Sequence, residues 1–304
     1  MAIKKIILLN LIFLSAQSMN LLATNQQKIL IIEHTKPTTD PHGLFSQVIL
    51  VISNIIWCEK RNIKPVVAWG KKSLYYQAEG YNGSTEPWEY YFDPISDISV
   101  DYAQKQQDVL RGNTFPWRDR DAIPTIRRGG YNFHIDPVYR RKINALIQKY
   151  IKVKPPIKEK AEAFYKNTIE GKNTIGIHLR GTDKKTEVVQ VSAEEICSTA
   201  NELAKDLPNC QFFIATDEEA LLQKAKVLLN GPVVYCNSFR SSSNYPIHKM
   251  NPRAYSKAKL GEEVIIEALI FSRCTKFVHT DSNISSIVLF MNPELDNRIL
   301  IKQP

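Results

Sequence analysis

Three short polar clusters carry residue types that could hold an anion or move a proton. The first, His178-Leu179-Arg180-Gly181-Thr182-Asp183-Lys184, directly follows the apolar run Thr174-Ile175-Gly176-Ile177. Alternation along an extended chain puts His178 and Arg180 on the same side. A guanidinium at a strand end is well shaped for bidentate phosphate binding, and the plainer alternative is an Arg180–Asp183 ion pair closing the strand. The second cluster, Thr216-Asp217, ends the run Phe212-Phe213-Ile214-Ala215. It either faces a ligand crevice or caps a helix starting at Glu218. The third, His279-Thr280-Asp281-Ser282-Asn283-Ile284-Ser285-Ser286, follows Lys276-Phe277-Val278. A helix beginning near Ser282-Asn283 would present backbone N–H groups and a favourable dipole to an anion. N-capping by the same residues is compatible with that role. One Asp-x-Asp pair, Asp119-Arg120-Asp121, could in principle hold a metal. It sits in a Pro- and Arg-rich loop rather than after a strand, and carboxylates interleaved with arginines read as ion-paired.

The elements that must position these clusters are legible as alternating strands and helices. Ile29-Leu30-Ile31-Ile32 reads as a buried parallel strand. A helix follows from about Phe45 to Lys60, then a strand over Val66-Val67-Ala68-Trp69. Gly70 to Pro137 is irregular and rich in Gly, Pro, Tyr and Trp, the composition of a functional loop or lid. Its segment Pro87-Trp88-Glu89-Tyr90-Tyr91-Phe92 reads either as a sugar-stacking platform or, preferably, as an apolar plug joining loop to core. Arg127-Arg128-Gly129-Gly130-Tyr131 reads as a phosphate contact or a solvated turn. Val138 to Ile151 is helical, and Pro155-Pro156 marks a linker or interdomain crossing. In the second half, strands at 174–179, 212–215, 233–235, 276–279 and 298–301 alternate with helices. These helices run from Ser192 (with Glu195 completing a capping box), from Glu218 to Leu229, from Gly261 to Ser272 and from Asn283 to Met291. The pattern predicts an α/β protein of two Rossmann-like domains facing across a cleft, residues 24–154 and 155–304. In such sheets ligands bind at the carboxyl ends of the strands, where all three clusters lie.

Composition bounds the function classes. The 304 residues are 43% hydrophobic and 23% charged, ordinary for a globular chain and unlike a disordered or polytopic membrane protein. The net charge of +9 is scattered, which favours an anionic ligand over nucleic acid; no basic helix or stacking platform is evident. Five widely spaced cysteines without a CxxC argue against zinc or a disulfide framework. Lys4-Lys5, an apolar run from Ile6 to Leu14 and small residues at Ala16 and Ser18 make residues 1–23 a signal peptide cleaved after Ser18. An uncleaved anchor and a mere apolar first helix are the alternatives. The first two place the rest of the chain in a secretory or endomembrane lumen, in the periplasm or tethered at a membrane, and the third in the cytoplasm. Asn82-Gly83-Ser84 and Asn283-Ile284-Ser285 match the N-glycosylation pattern.

Together, the His-x-Arg-x-Thr-Asp-Lys segment, Ala215-Thr216-Asp217 and the 279–286 loop resemble the GDP-fucose-dependent fucosyltransferases. Within that superfamily the likeness is greatest to the α1,6-fucosyltransferase and protein O-fucosyltransferase group. It covers roughly Gly171 to Pro293, and Gly43-Leu44-Phe45-Ser46-Gln47 is similar to the family's glycine loop under the diphosphate. The resemblance implies a GT-B-like architecture and an inverting, metal-independent transfer from a GDP-sugar to a glycan or glycoprotein hydroxyl. No cofactor is implied, since the GDP-sugar is a co-substrate. It implies that Arg180 pairs with the departing diphosphate in place of a metal. Gly43, His178, Arg180, Thr216, Asp217, Ser282, Asn283, Ser285 and Ser286 would contact the donor. An attacking hydroxyl needs a general base, usually a carboxylate. Glu187 matches the family's glutamate at a spacing one residue shorter, with Asp183 as the fallback. Gly181 stands where the family commonly carries a second arginine. Another GDP-sugar donor, and a non-catalytic nucleotide-sugar or glycan-binding protein of the same fold, therefore stay open.

Overall fold

The computed structural model describes residues 27–34, 43–123, 136–180, 191–242 and 256–301. Two parallel sheets carry the chain. The first half supplies β1 (Ile29–Ile32), helix α1 (Leu44–Glu59), β2 (Lys64–Val67), α2 (Val100–Lys105), β3 (Val109–Arg111), α3 (Phe115–Arg118) and α4 (Pro137–Tyr150). Its strands lie in the order β2-β1-β3, every pair parallel. The second half begins with α5 (Pro155–Thr168). It continues with β4 (Thr174–Leu179), α6 (Ala193–Ala204), β5 (Gln211–Thr216), α7 (Glu219–Leu228) and β6 (Val233–Val234). The chain then forms α8 (Lys257–Phe271), β7 (Lys276–Thr280), α9 (Asn283–Met291) and β8 (Asp296–Leu300). These five strands form one parallel sheet ordered β6-β5-β4-β7-β8. The α/β architecture expected from the alternating pattern is present.

Local chemistry explains most boundaries. Every residue of β4 and β5 is buried, as in a strand covered on both faces. At Gly176 a Cβ would stand 2.7 Å from the Phe271 ring, so the missing side chain lets α8 lie against β4. Ser192 and Glu195 form the expected capping box on α6. The Ser256 hydroxyl accepts from Lys259 N at 3.1 Å, so α8 starts four residues before the expected Gly261. The strand expected at Val66–Trp69 is displaced to Lys64–Val67 by its register with Ile29–Ile32, and Gly70, at φ 59°, turns the chain. The proline pair opens α5, a helix the sequence reading omitted. Pro155 occupies the first turn, where a missing N–H costs nothing. Lys152 and Lys154 beside it pair with Asp93 and Tyr91 through backbone hydrogen bonds of 2.8 Å each.

The largest apolar cluster lies between the sheets and draws on both. It joins Leu30 and Ile32 of β1, most of α1, and Ile143, Ile147 and Ile157 of α4 and α5 to Phe213, Phe271, Phe277 and Phe290. A second cluster covers the opposite face of the five-stranded sheet under α6 and α7, and a small third one packs α2 against β1 and β2. The aromatic segment is the plug, not a platform: Trp88, Tyr90, Tyr91 and Phe92 are all fully buried. Tyr91 reaches across to α8, donating its hydroxyl to Ala258 O at 2.9 Å, and a Cβ on Gly261 would lie 2.3 Å from that hydroxyl oxygen.

Candidate functional site

In the order β6-β5-β4-β7-β8 the chain winds outward from β4 in one direction and then returns to β7 on its other side. Strand order therefore reverses between β4 and β7, and in such sheets the carboxyl ends at that point are where a ligand crevice is expected. His178 is paired in register with His279 across this point, and with Ala215 on β5. The two motifs singled out by their chemistry, His178-x-Arg180 and the Ser282 loop, flank the reversal.

His178 is 4% exposed, and its Nδ1 lies 3.4 Å from the Ser282 hydroxyl. Ser282 caps α9: its Oγ accepts from Ser285 N at 3.0 Å and is 2.8 Å from Ser285 Oγ. Ser285 also donates to Thr280 O, and Ser286 donates to Ser282 O, each at 3.0 Å. His178, Ser282, Ser285 and Ser286 thus form one buried network that ties the end of β4 to the start of α9. Asn283, the first residue of α9, is half-buried beside them. The first turn of α9 carries no acidic residue, and Asp281 directly precedes its Ser282 cap. Arg180 follows β4 directly and is half-buried. Thr216 ends β5 opposite Leu179, and its Oγ1 accepts from Glu218 N at 3.3 Å, so it both borders the crevice and caps the next turn. Asp217 anchors the neighbouring loop by accepting from Ser241 N at 2.9 Å.

His279 lies beneath this network, buried and stacked on Phe277 with ring centroids 4.6 Å apart. Burial holds its imidazole down to about 4, so it is a neutral part of the sheet at any physiological pH. On the first-half side, Gly43 caps α1 in an extended conformation (φ −63°, ψ 163°) that any residue can adopt. Among the described residues, nothing stands within 4 Å of where its Cβ would lie. Helix α1 packs on α9, which links this glycine's helix to the Ser282 network.

The Asp-x-Asp pair is ion-paired. Asp119 accepts from Trp57 Nε1 at 2.6 Å and Arg61 Nη2 at 2.8 Å. Asp121 accepts from Lys60 and, at 2.9 Å, from Arg61 Nη1. The Lys60 hydrogen bond, followed by that of Arg61, holds the Asp121 carboxyl below its usual range. Among the described residues no group of three or more His, Cys, Asp or Glu side chains could hold a metal ion. All five cysteines are free thiols. Asp183 and Glu187, the Arg127–Tyr131 cluster and the expected signal peptide lie outside the described residues.

Sequence reasoning missed a group of titratable and charged side chains around the loop after β6: Glu267 of α8, which is buried, and Glu263 of α8 and Arg240 of the loop, which are half-buried. Glu267 is 8% exposed, and burial raises its carboxyl to about 7. The signal available was the i, i+4 spacing of Glu263 and Glu267 in a helix that also carries Lys257, Lys259 and Glu262, a pattern that ordinarily marks a solvated face.

No protein-family model and no curated protein sequence matches the chain. Solved structures do. The α-1,6-fucosyltransferase NodZ co-crystallised with GDP is 16% identical, covers 92% of this chain and 96% of its own, and superposes with a TM-score of 0.55. NodZ from Bradyrhizobium gives 16% identity, 91% and 96% coverage and a TM-score of 0.54. An Arabidopsis thaliana FUT1 variant in complex with GDP gives 10%, 92% and 72%, and 0.53. Over nine-tenths of its length, the chain therefore has the GT-B-like fold of the fucosyltransferases NodZ and FUT1, the architecture its motifs implied.

Proposed function

We propose that this protein is an inverting, metal-independent glycosyltransferase that moves a sugar, fucose by its resemblance, from a GDP-linked donor to a glycan or protein hydroxyl. The observation that carries the reading is the meeting of His178-x-Arg180 with the Ser282-capped start of α9 at the point where strand order reverses. NodZ structures co-crystallised with GDP and soaked with GDP-fucose share this fold, which supports a GDP-sugar as the ligand.

As the anomeric bond breaks, its electron pair stays on the β-phosphate oxygen and adds a third negative charge to the two that the diphosphate already carries. The Arg180 guanidinium supplies a delocalised cation with donors spaced for two phosphate oxygens. The N–H groups opening α9 add a fixed dipole that needs no reorganisation as charge develops. His178, held by Ser282, lies against the nucleotide side, with Thr216 and Asp217 on the adjacent strand end. Gly43 gives the diphosphate a backbone to approach from the other half. The acceptor hydroxyl attacks from the face opposite the diphosphate, inverting the anomeric centre, and Glu187, with Asp183 as the fallback, takes its proton. The ion pairs that engage Asp119 and Asp121 support Arg180, rather than that pair, as the partner of the leaving group. Gly181, standing in place of a second arginine, favours one alternative within this class: a different GDP-sugar. The leader pattern around Lys4 to Leu14 supports delivery to or across a membrane, where an imported nucleotide sugar would meet a glycan acceptor.

The test is release of GDP from GDP-fucose and from GDP-mannose, with and without a mixed glycan acceptor, by the wild-type chain and by Arg180→Ala and Glu187→Gln. The proposal expects acceptor-stimulated release that Arg180→Ala abolishes, and that Glu187→Gln lowers while GDP affinity is kept. Release from GDP-mannose alone would change the donor. Release from neither sugar, with GDP still bound, would replace the enzyme by a binding protein.

A further inference from the structure

The loop Cys236–Ser241 is stitched to the molecule on two sides. On one side it meets α8: Ser238 donates its hydroxyl to Glu267 Oε1 at 2.7 Å, and Phe239 N–H donates to Glu263 Oε2 at 3.0 Å. On the other it meets the end of β5. There Ser241, fully buried, donates its N–H to Asp217 O at 2.9 Å and accepts from Glu219 N at 3.1 Å. Arg240 closes the loop on itself, its Nη1 and Nη2 donating to Ser238 O at 3.2 Å and Cys236 O at 2.6 Å. Its Nε is buried without a hydrogen-bond partner. The position of Asp217 at the crevice is thus set by a loop whose other edge hangs on the carboxylates of α8.

We propose that Glu267 is a positioning residue for the donor site, holding the Cys236–Ser241 loop, and through it Asp217 and the end of β5, in the arrangement that accepts the nucleotide. This rests on the donor reading of the strand ends. A buried carboxylate that donors do not fully satisfy is costly, whereas a neutral carboxyl accepting one serine hydroxyl is not. The charged and titratable groups facing Glu267 are Arg240 and Cys236 of the loop, Glu263 one turn earlier on α8, and Asp217 just past β5. Lys160 of α5 acts on Glu263. Burial is the main reason the neutral form is preferred. The Ser238 hydrogen bond and the Arg240 charge oppose it, and the two neighbouring carboxylates reinforce it. If the loop lifts, Glu267 is rehydrated and its carboxyl returns towards the ordinary 4.5, so the closed loop is favoured at low pH and loses that preference as pH rises from 4.5 through about 7.

The experiment is calorimetric titration with GDP at about pH 6 and about pH 8.5, for the wild-type chain, Glu267→Gln and Glu267→Ala. Amide protection factors at Phe239 and Ser241 are measured without ligand in parallel. Glutamine reproduces the neutral carboxyl. The wild type should lose GDP affinity by roughly threefold or more across that range, with a matching loss of protection at Ser241. Glu267→Gln should bind as the wild type does at the lower pH and stay flat in both readouts, while Glu267→Ala should be weak at both pH values. A Glu267→Gln variant with the wild-type pH profile would overturn the proposal, as would a folded Glu267→Ala variant with unimpaired affinity. No GDP binding by the wild type would overturn it too; protection that still tracked Glu267 would then locate the failure in the donor reading.

Discussion

The two sheets end differently. At the carboxyl ends of the five-stranded sheet, buried polar side chains gather: His178, Ser282, Ser285 and Ser286 are bonded in one network, and Thr216 accepts from Glu218 N beside them. The three-stranded sheet runs instead into aromatic packing. His34, just past β1, meets Trp69 edge-on at 5.2 Å; Trp69 meets Trp88, and Trp88 meets Phe92. Burying a polar network in preference to an apolar one sacrifices stability for arrangement, because each member must keep its partners. The difference teaches where function and where cohesion reside. The second half gathers a buried polar network at its strand ends, and the first half spends the same region on a plug that joins the halves.

That division can be broken in several places. The largest effect should come from Arg180→Ala, which leaves the departing diphosphate unpaired and costs about 3 kcal/mol or more in the barrier. Steady-state turnover should fall at least about a hundredfold while the thermal midpoint stays put. Equal losses in both would make Arg180 part of the core and erase the distinction.

Acid should attack the same end of the molecule. His279 stays neutral in the folded chain down to about pH 4, whereas an unfolded histidine takes up a proton near its ordinary value of 6.5. Between those values the unfolded state binds more protons. Stability is therefore full above 6.5 and falls as pH drops towards 4, by about 3 kcal/mol in total. Urea midpoints measured over this window should show a steep slope that His279→Asn flattens.

Gly261→Ala probes the clamp. The added methyl meets the Tyr91 hydroxyl at 2.3 Å and its ring carbon at 2.6 Å, in a side chain too buried to swing away. Overpacking of this kind costs about 1–3 kcal/mol. The denaturation midpoint should fall, with GDP affinity of the folded fraction unchanged, and Tyr91→Phe should recover part of the loss. The mildest change is Ser282→Ala. Losing the cap of α9 should cost about 1 kcal/mol of stability. Because the same hydroxyl touches His178, GDP affinity should weaken as well; a stability loss alone would make Ser282 a cap and nothing more.

Much of the second half was legible because its signals are local. Asn283–Met291 is an apolar helix preceded by a serine, and the chain caps and starts it there. The residues Ser192 and Glu195 fix α6 the same way. What escaped depends on contacts distant in sequence. Pro155-Pro156 looks like a break until α5 is seen to start on it. The start of α8 depends on Ser256, fifteen residues past the preceding polar loop at Ser241, and its Glu267 looks solvent-facing until the loop after β6 folds over it. In the first half, β3 follows from pairing with β1, and the burial of Trp88 to Phe92 from packing against α8 and Val153, partners no window of sequence contains. The placement of the polar motifs at strand ends was readable for a different reason: each directly follows an apolar run of strand length, and those runs are β4, β5 and β7.

The most direct test of the central claim is calorimetric titration of the wild-type chain and Arg180→Ala with GDP, with UDP as control, in the presence and absence of EDTA. The account predicts that the wild type binds GDP and not UDP, that EDTA changes nothing, and that Arg180→Ala binds GDP more weakly. Equal binding of both nucleotides, or GDP binding that Arg180→Ala leaves untouched, would contradict it.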